Sequence, residues 1–155
     1  MELIVFAFLI GVVAGLRSMT APAVVSLAAR FGHLSLTGSW LAFLGYRWTP
    51  WILLIVALLE LTADKLPSTP SRKAPVPFSA RIISGALCGA AIGVALDNIY
   101  LGLGCGIVGA IAGTLGGYAA RAGLVRAIGG RDLPIALLED VIAIALAACV
   151  VTFAK

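Results

Sequence analysis

Six ionisable residues lie inside, or at the ends of, long apolar runs: Arg17, Glu60, Asp64, Arg121, Glu139 and Asp140. A charge at the centre of a membrane helix costs at least ~2.5–3.5 kcal/mol, so such groups face protein or a water-filled cavity. Glu60 and Asp64 are four apart and share a helix face. Glu139 and Asp140 are adjacent and diverge by about 100°, so one is expected to face inward and the other an interface or a basic partner such as Arg131. Two readings stand. In the first, which follows if the chain carries an internal repeat, Glu60 and Glu139 meet from opposite sides near a pseudo-two-fold axis and share or bind a proton or cation, with Arg17 and Arg121 as counter-charges. In the second, Arg17 pairs with one acid and Arg121 with another, as structural ion pairs near the two membrane faces. Arg17-Ser18-Met19-Thr20, beside a helix break, also offers amides and hydroxyls to an anion.

Signatures of catalysis are missing. The sequence holds no GxSxG, no HExxH, no phosphate-binding P-loop and no dinucleotide glycine fingerprint. Cys88, Cys105 and Cys149 sit in apolar runs without a CxxC, and His33 is the single histidine, so neither a metal nor another cofactor is expected. Gly102-Leu103-Gly104-Cys105-Gly106 lies in a charge-free run and reads as close helix packing. The chain is not expected to be an enzyme; a lipid-modifying enzyme would lack its nucleophile or metal set.

These groups need elements to position them, and composition says which. Of 155 residues, 61% are hydrophobic and 12% charged, with a mean hydropathy of +1.10. A soluble domain carries about 25% charged residues. Disorder, a nucleic-acid module and a cytosolic enzyme are thereby disfavoured; residues 1–155 read as one polytopic, all-α domain of the cytoplasmic (inner) membrane. Backbone groups in lipid must be satisfied within the segment, which selects helices. Five segments follow: 3–30, broken around Arg17–Pro22 with Ser18 or Thr20 as a cap; 50–64, with Thr49 as N-cap; 80–96; 99–120; and 134–153, with Asp132 as N-cap. Residues 39–46 form a short surface helix among Trp40, Phe43, Tyr46, Trp48 and Trp51, an interfacial belt.

The formal net charge of +4 sets orientation, because basic residues stay on the cytoplasmic side. Prolines 67, 70, 75 and 77 forbid a helix over 66–77. The basic Pro-rich loop 65–80, with Lys65, Arg72, Lys73 and Arg81 contacting lipid headgroups or a partner, is placed inside with 121–132. The Asp97-Asn98 turn goes outside. Five crossings put the N-terminus in and the C-terminus out. Met1-Glu2 opens without a basic stretch, so the first apolar run is expected to stay as a membrane segment.

Ala28-Ala29-Arg30 echoes Ala119-Ala120-Arg121, and Ala57-Leu58-Leu59-Glu60 echoes Ala136-Leu137-Leu138-Glu139. Segments one and two would then be an inverted copy of four and five across segment three; coincidence in a Leu/Ala-rich chain explains the echoes as well. Gly85, Gly89 and Gly93, and Gly109, Gly113 and Gly117, recur every four residues and make two helix faces. Segments three and four are expected to pack through them, or to form the seam of a homo-oligomer, a dimer before others.

Gly15-Leu16-Arg17-Ser18-Met19-Thr20-Ala21-Pro22, with Glu60-Leu61-Thr62-Ala63-Asp64-Lys65-Leu66-Pro67 and Pro70-Ser71-Arg72, resembles a bacterial family of small membrane proteins catalogued as domain of unknown function 4126. The resemblance covers most of the chain and is most specific in Glu-x-x-Ala-Asp-Lys-x-Pro. It implies an integral membrane protein, supplies no activity, and marks Arg17, Glu60, Asp64 and Lys65 as motif positions. The leading expectation is a transporter or channel-like protein for a small ion or polar solute, surrounded by membrane lipids, with no nucleic-acid partner. The alternative is a scaffold subunit that binds a partner or anionic lipid through loop 65–81.

Overall fold

The computed structural model describes residues 1–63, 74–127, 129–130 and 132–154. Asp64, Lys65, Arg72, Lys73 and Arg131 lie outside the described residues. Six α-helices and one 3-10 helix make up the fold, with no strand among the described residues. They are α1 (Glu2–Leu16), α2 (Thr20–Arg30), the 3-10 helix Trp40–Gly45, α3 (Thr49–Ala63), α4 (Pro75–Ala95), α5 (Ile99–Ala127) and α6 (Asp132–Phe153).

Three helices, α4, α5 and α6, are long and apolar enough to cross a membrane. The five-crossing count counted α1 and α3 too, but each has 15 residues and rises only about 22 Å against roughly 30 Å of hydrocarbon.

Proline explains two corrections to the boundaries. α4 begins at Pro75, not Ala80, and includes Pro77. α2 begins at Thr20 and carries Pro22 as its third residue. Amides in a first turn have no intrahelical partner, so proline costs little there. At other ends the apolar run was a poor guide. α5 continues through Arg121 to Ala127, so much of the expected 121–132 loop is helical. Thr49 and Asp132 are first helical residues rather than caps.

The core is α1, α4 and α5 packed backbone to backbone. A Cβ on Gly89 would lie 2.7 Å from Gly106 Cα, and one on Gly113 would lie 2.9 Å from Val12 Cα. No real side chain fits such a gap, so these glycines set the interhelical distance. The expected pairing of the two glycine faces is corrected in part. α4 does pack on α5, but Gly85 and Gly89 meet Gly102, Gly106 and Ala110. Gly109 and Gly113 instead face Phe8, Gly11 and Val12 of α1, and Gly117 borders a cleft beside α6. A helix of glycines can offer two such faces, and spacing alone does not assign partners.

The contacts also fix direction. Phe8, Gly11 and Val12 climb beside Gly106, Gly109 and Gly113, so α1 runs with α5, whereas Gly85, Gly89 and Gly93 descend from Ala110 to Asn98, so α4 runs against it. The α4–α5 turn is tight: Asp97 takes φ 60°, Asn98 N donates to Gly93 O (2.7 Å) and Asn98 Oδ1 caps Leu101 N (3.1 Å). α6 starts beside Arg121 and returns along α1 and α2. Both termini therefore sit at the Asp97–Asn98 end, which corrects the expectation of an N-terminus and C-terminus on opposite sides. It also removes α1 from an inverted pairing, because the first half of segment one runs with segment four.

α2 packs on α3, α6, the 3-10 helix and α4 but makes no substantial contact with α5. A helix continuing from α1 would lie along the second half of α5. The chain instead turns away at Arg17, where φ −141° and ψ 110° end α1 in extended backbone. α2 then lies antiparallel to α3: its start meets Glu60 near the end of α3, and Ser26 Oγ bonds Leu44 O just ahead of α3.

Candidate functional site

The turn Arg17-Ser18-Met19 is where the polar groups converge. It lies beside Thr114, near the middle of α5. A helix interrupted there exposes carbonyls at one end and amides at the other, and both need partners in an apolar setting.

Each end has a charged partner from another helix. At the end of α1, Arg81 Nη1 of α4 donates to Gly15 O (2.6 Å) and Leu16 O (2.9 Å). Thr114 Oγ1 adds a bond to Gly15 O (3.1 Å). At the start of α2, the Glu60 carboxylate of α3 accepts from Ser18 N and Met19 N, both at 2.8 Å, and from Ser18 Oγ at 2.7 Å. A cation meets the negative end of one helix dipole and an anion the positive end of the next. Ser84 Oγ bonds the Ser18 carbonyl between them. No side chain of the turn itself caps α2, contrary to the role expected of Ser18 or Thr20; Glu60 fills it from across the fold.

Arg17 is fully buried and forms an ion pair with Asp140 of α6. Arg121 holds Asp132 in a fork, Nε to Oδ1 at 2.8 Å and Nη2 to Oδ2 at 2.6 Å, and reaches Glu139 Oε2 at 3.4 Å. This ion pair borders a cleft of about 190 Å³ between α5 and α6, lined by Gly117, Leu124, Ile135 and Ile142.

The expected site residues thus divide into two clusters. Glu60, Arg17 and Asp140 gather at the turn, while Arg121 and Glu139 gather with Asp132 nearer the end of α5. Glu60 and Glu139 bind different partners, and α3 makes no substantial contact with α6. Glu139 and Asp140 are both largely buried, each against its own arginine. The 100° between them separates two partners rather than protein from interface. Asp64 lies outside the described residues.

Arg81 is the clearest correction. Assigned to lipid headgroups or a partner, it is 3% exposed and bonds the α1 carbonyls. Its depth follows from where the helix begins: an arginine seven residues into a helix that starts at Pro75 is too deep for a loop contact. Ser84 and Thr114 were missed. Each adjoins a packing glycine, Gly85 or Gly113, and a hydroxyl on a face that close to another backbone is placed to bond it.

No group of three or more His, Cys, Asp or Glu side chains placed to hold a metal occurs among the described residues. Trp40, Phe43, Tyr46, Trp48 and Trp51 are all exposed, with the Arg47 guanidinium 5.5 Å from the Trp48 ring.

Neither a curated protein nor a solved structure matches the chain. A family model described as "Domain of unknown function (DUF4126)" matches residues 4–154. With nearly its whole length matched, turn and partners included, this chain belongs to the DUF4126 family.

Proposed function

We propose that this protein is a small transporter or channel-like protein of the cytoplasmic membrane, and that its ion or polar-solute site is the turn between α1 and α2. The observation that carries this reading is the pair of opposed helix ends beside the middle of α5, each met by a charge from another helix. Interrupted helices of this kind place dipole ends and backbone groups at the solute sites of transporters. Gly15, Leu16, Ser18 and Met19 supply the backbone groups, Glu60 the carboxylate, and Arg17–Asp140 an ion pair that holds the turn. Protonation of Glu60 weakens its hold on two amides and is the coupling event. Arg121 and Glu139 form a second gate or anchor at the cleft.

In this reading α1 and α2 enter and leave from one side as a re-entrant pair, and α3, whose 15 described residues rise about 22 Å, carries the chain most of the way across before α4, α5 and α6 cross. With the basic segments inside, both termini lie outside. A homodimer completes the lipid-facing surface of α3, of which only Pro50 and Ala57 are buried.

The test is ion flux into proteoliposomes loaded with a pH-sensitive dye and pulsed with potassium chloride, potassium formate or ammonium chloride. Wild type is expected to respond above empty vesicles, and Glu60→Gln to lose about tenfold or more, the scale of one lost charge-assisted hydrogen bond. Equal flux for wild type, Glu60→Gln and Glu139→Gln would remove the mechanism.

A further inference from the structure

We infer that the start of α2 is a receptor for a small monocarboxylate anion, and that Glu60 occupies it in this structure as a built-in stand-in. The inference rests on the transport reading and names its substrate class.

The stereochemistry of the occupied site selects the ligand. Two amides on successive residues each bind a different oxygen of one carboxylate, Ser18 N to Oε1 and Met19 N to Oε2. The Ser18 hydroxyl binds Oε1 as well. A planar group with two oxygens meets both amides and the hydroxyl at once; a halide offers a single acceptor atom for the three donors. Formate and acetate present the same two oxygens with little bulk behind them.

A second observation, independent of the helix end, concerns Thr20. It is the first residue of α2, next to Met19, and is 4% exposed. Its Oγ1 is buried and has no hydrogen-bond partner among the described residues. A buried hydroxyl without a partner costs about 1–3 kcal/mol. This buried donor is next to Met19, whose amide binds the carboxylate, and is one that an occupant other than the tethered Glu60 could satisfy.

The stand-in is also removable. Glu60 comes from α3, whose main contacts among the described residues are with α2 and the 3-10 helix, not from the glycine-packed core. Its withdrawal leaves α1, α4 and α5 in place. The charges around the vacated end favour an anion: Arg81 remains on the neighbouring α1 carbonyls and Arg17 stays paired with Asp140 of α6.

The experiment reads binding apart from flux. Purified wild type and Glu60→Ala in detergent are heated in sodium formate, sodium acetate or sodium chloride at fixed ionic strength. Glu60→Ala is expected to melt lower than wild type and to be restored by formate and acetate but not chloride. Its acetate affinity should exceed that of wild type by about tenfold or more, the equivalent of one charge-assisted hydrogen bond. Adding Thr20→Val should weaken the rescue severalfold while raising, not lowering, the melting temperature in chloride, because it removes a buried hydroxyl without a partner. Equal responses to acetate in wild type and Glu60→Ala, or rescue by chloride as strong as by formate, overturn the inference. If Glu60→Ala is recovered folded only when purified in formate or acetate, the inference holds; if no carboxylate recovers it, the inference fails. Rescue without any flux in vesicles removes the transport reading alone. Flux in wild type without rescue of Glu60→Ala removes the carboxylate site alone.

Discussion

The two sides of this small bundle are held by different means. On one side α1, α4 and α5 touch through glycine, with backbones so close that an added Cβ would overlap atoms across the interface, and polar bonds from Arg81 and Thr114 join them at the Gly15–Leu16 end of α1. On the other, α2, α3 and α6 are tied by polar side chains: Glu60 to the start of α2, Ser26 to Leu44 O, Asp140 to Arg17. Lipid is as apolar as leucine, so no hydrophobic force joins helices within it. Close backbone contact and polar bonds are the two remaining ways, and this chain uses them in different places. Glycine contact leaves no slack and makes a rigid frame. In the proposed function, polar ties can be exchanged for ties to a solute or a proton, which places the adjustable side of the molecule next to the turn and the frame behind it.

The comparison can be broken most severely at Gly106. It packs against both Gly11 and Gly89, so Gly106→Leu should force α1 and α4 off α5 and exceed the ~1–3 kcal/mol of ordinary overpacking. Gly104, on the same helix with open space where a Cβ would go, is the control. Gly104→Leu should leave folding intact, and the measurement is monodispersity and melting temperature in detergent. Similar damage from both would mean that glycine contact does not define the frame.

A smaller but still large effect is expected from Asp140→Ala. It removes the paired carboxylate beside the fully buried Arg17, and stranding one partner of a buried pair costs about 3–5 kcal/mol. Hydrogen exchange at the residues around Ser18 should rise while exchange within α5 does not. Uniform loosening of α5 would show that the two sides are not separable.

The mildest test is Ser26→Ala. Its hydroxyl bonds Leu44 O in the loop ahead of α3, a neutral hydrogen bond worth about 1 kcal/mol. The variant should fold normally and show faster exchange in α3 alone. A change extending into α4 would blur the line between frame and arm.

What was legible in the residues is local. Charge-free runs located α1, α3, α4, α5 and α6, because a run that lipid or protein interior must accept has to satisfy its own backbone. Arg17 through Pro22 located the break, and the aromatic cluster located the short helix at Trp40–Gly45. The family followed from Glu60-Leu61-Thr62-Ala63-Asp64-Lys65 and its companions. Arg81 was misread because a charge just after a proline-rich stretch looks like loop, and proline in a first turn does not end a helix.

By itself, then, the sequence determined that the chain is helical, apolar, broken near Arg17 and sparing with charge. Only the tertiary structure decided which acid meets which base. It put Glu60 on the amides of Ser18 and Met19, Asp140 on Arg17, Glu139 on Arg121, and Arg81 on the carbonyls of α1. The reason is physical: helix periodicity gives the face on which a residue lies, but the partner depends on the direction and depth of the neighbouring helix. Those depend on backbone contacts between glycines far apart in the chain, such as Gly11 with Gly106, whose matching no local pattern records.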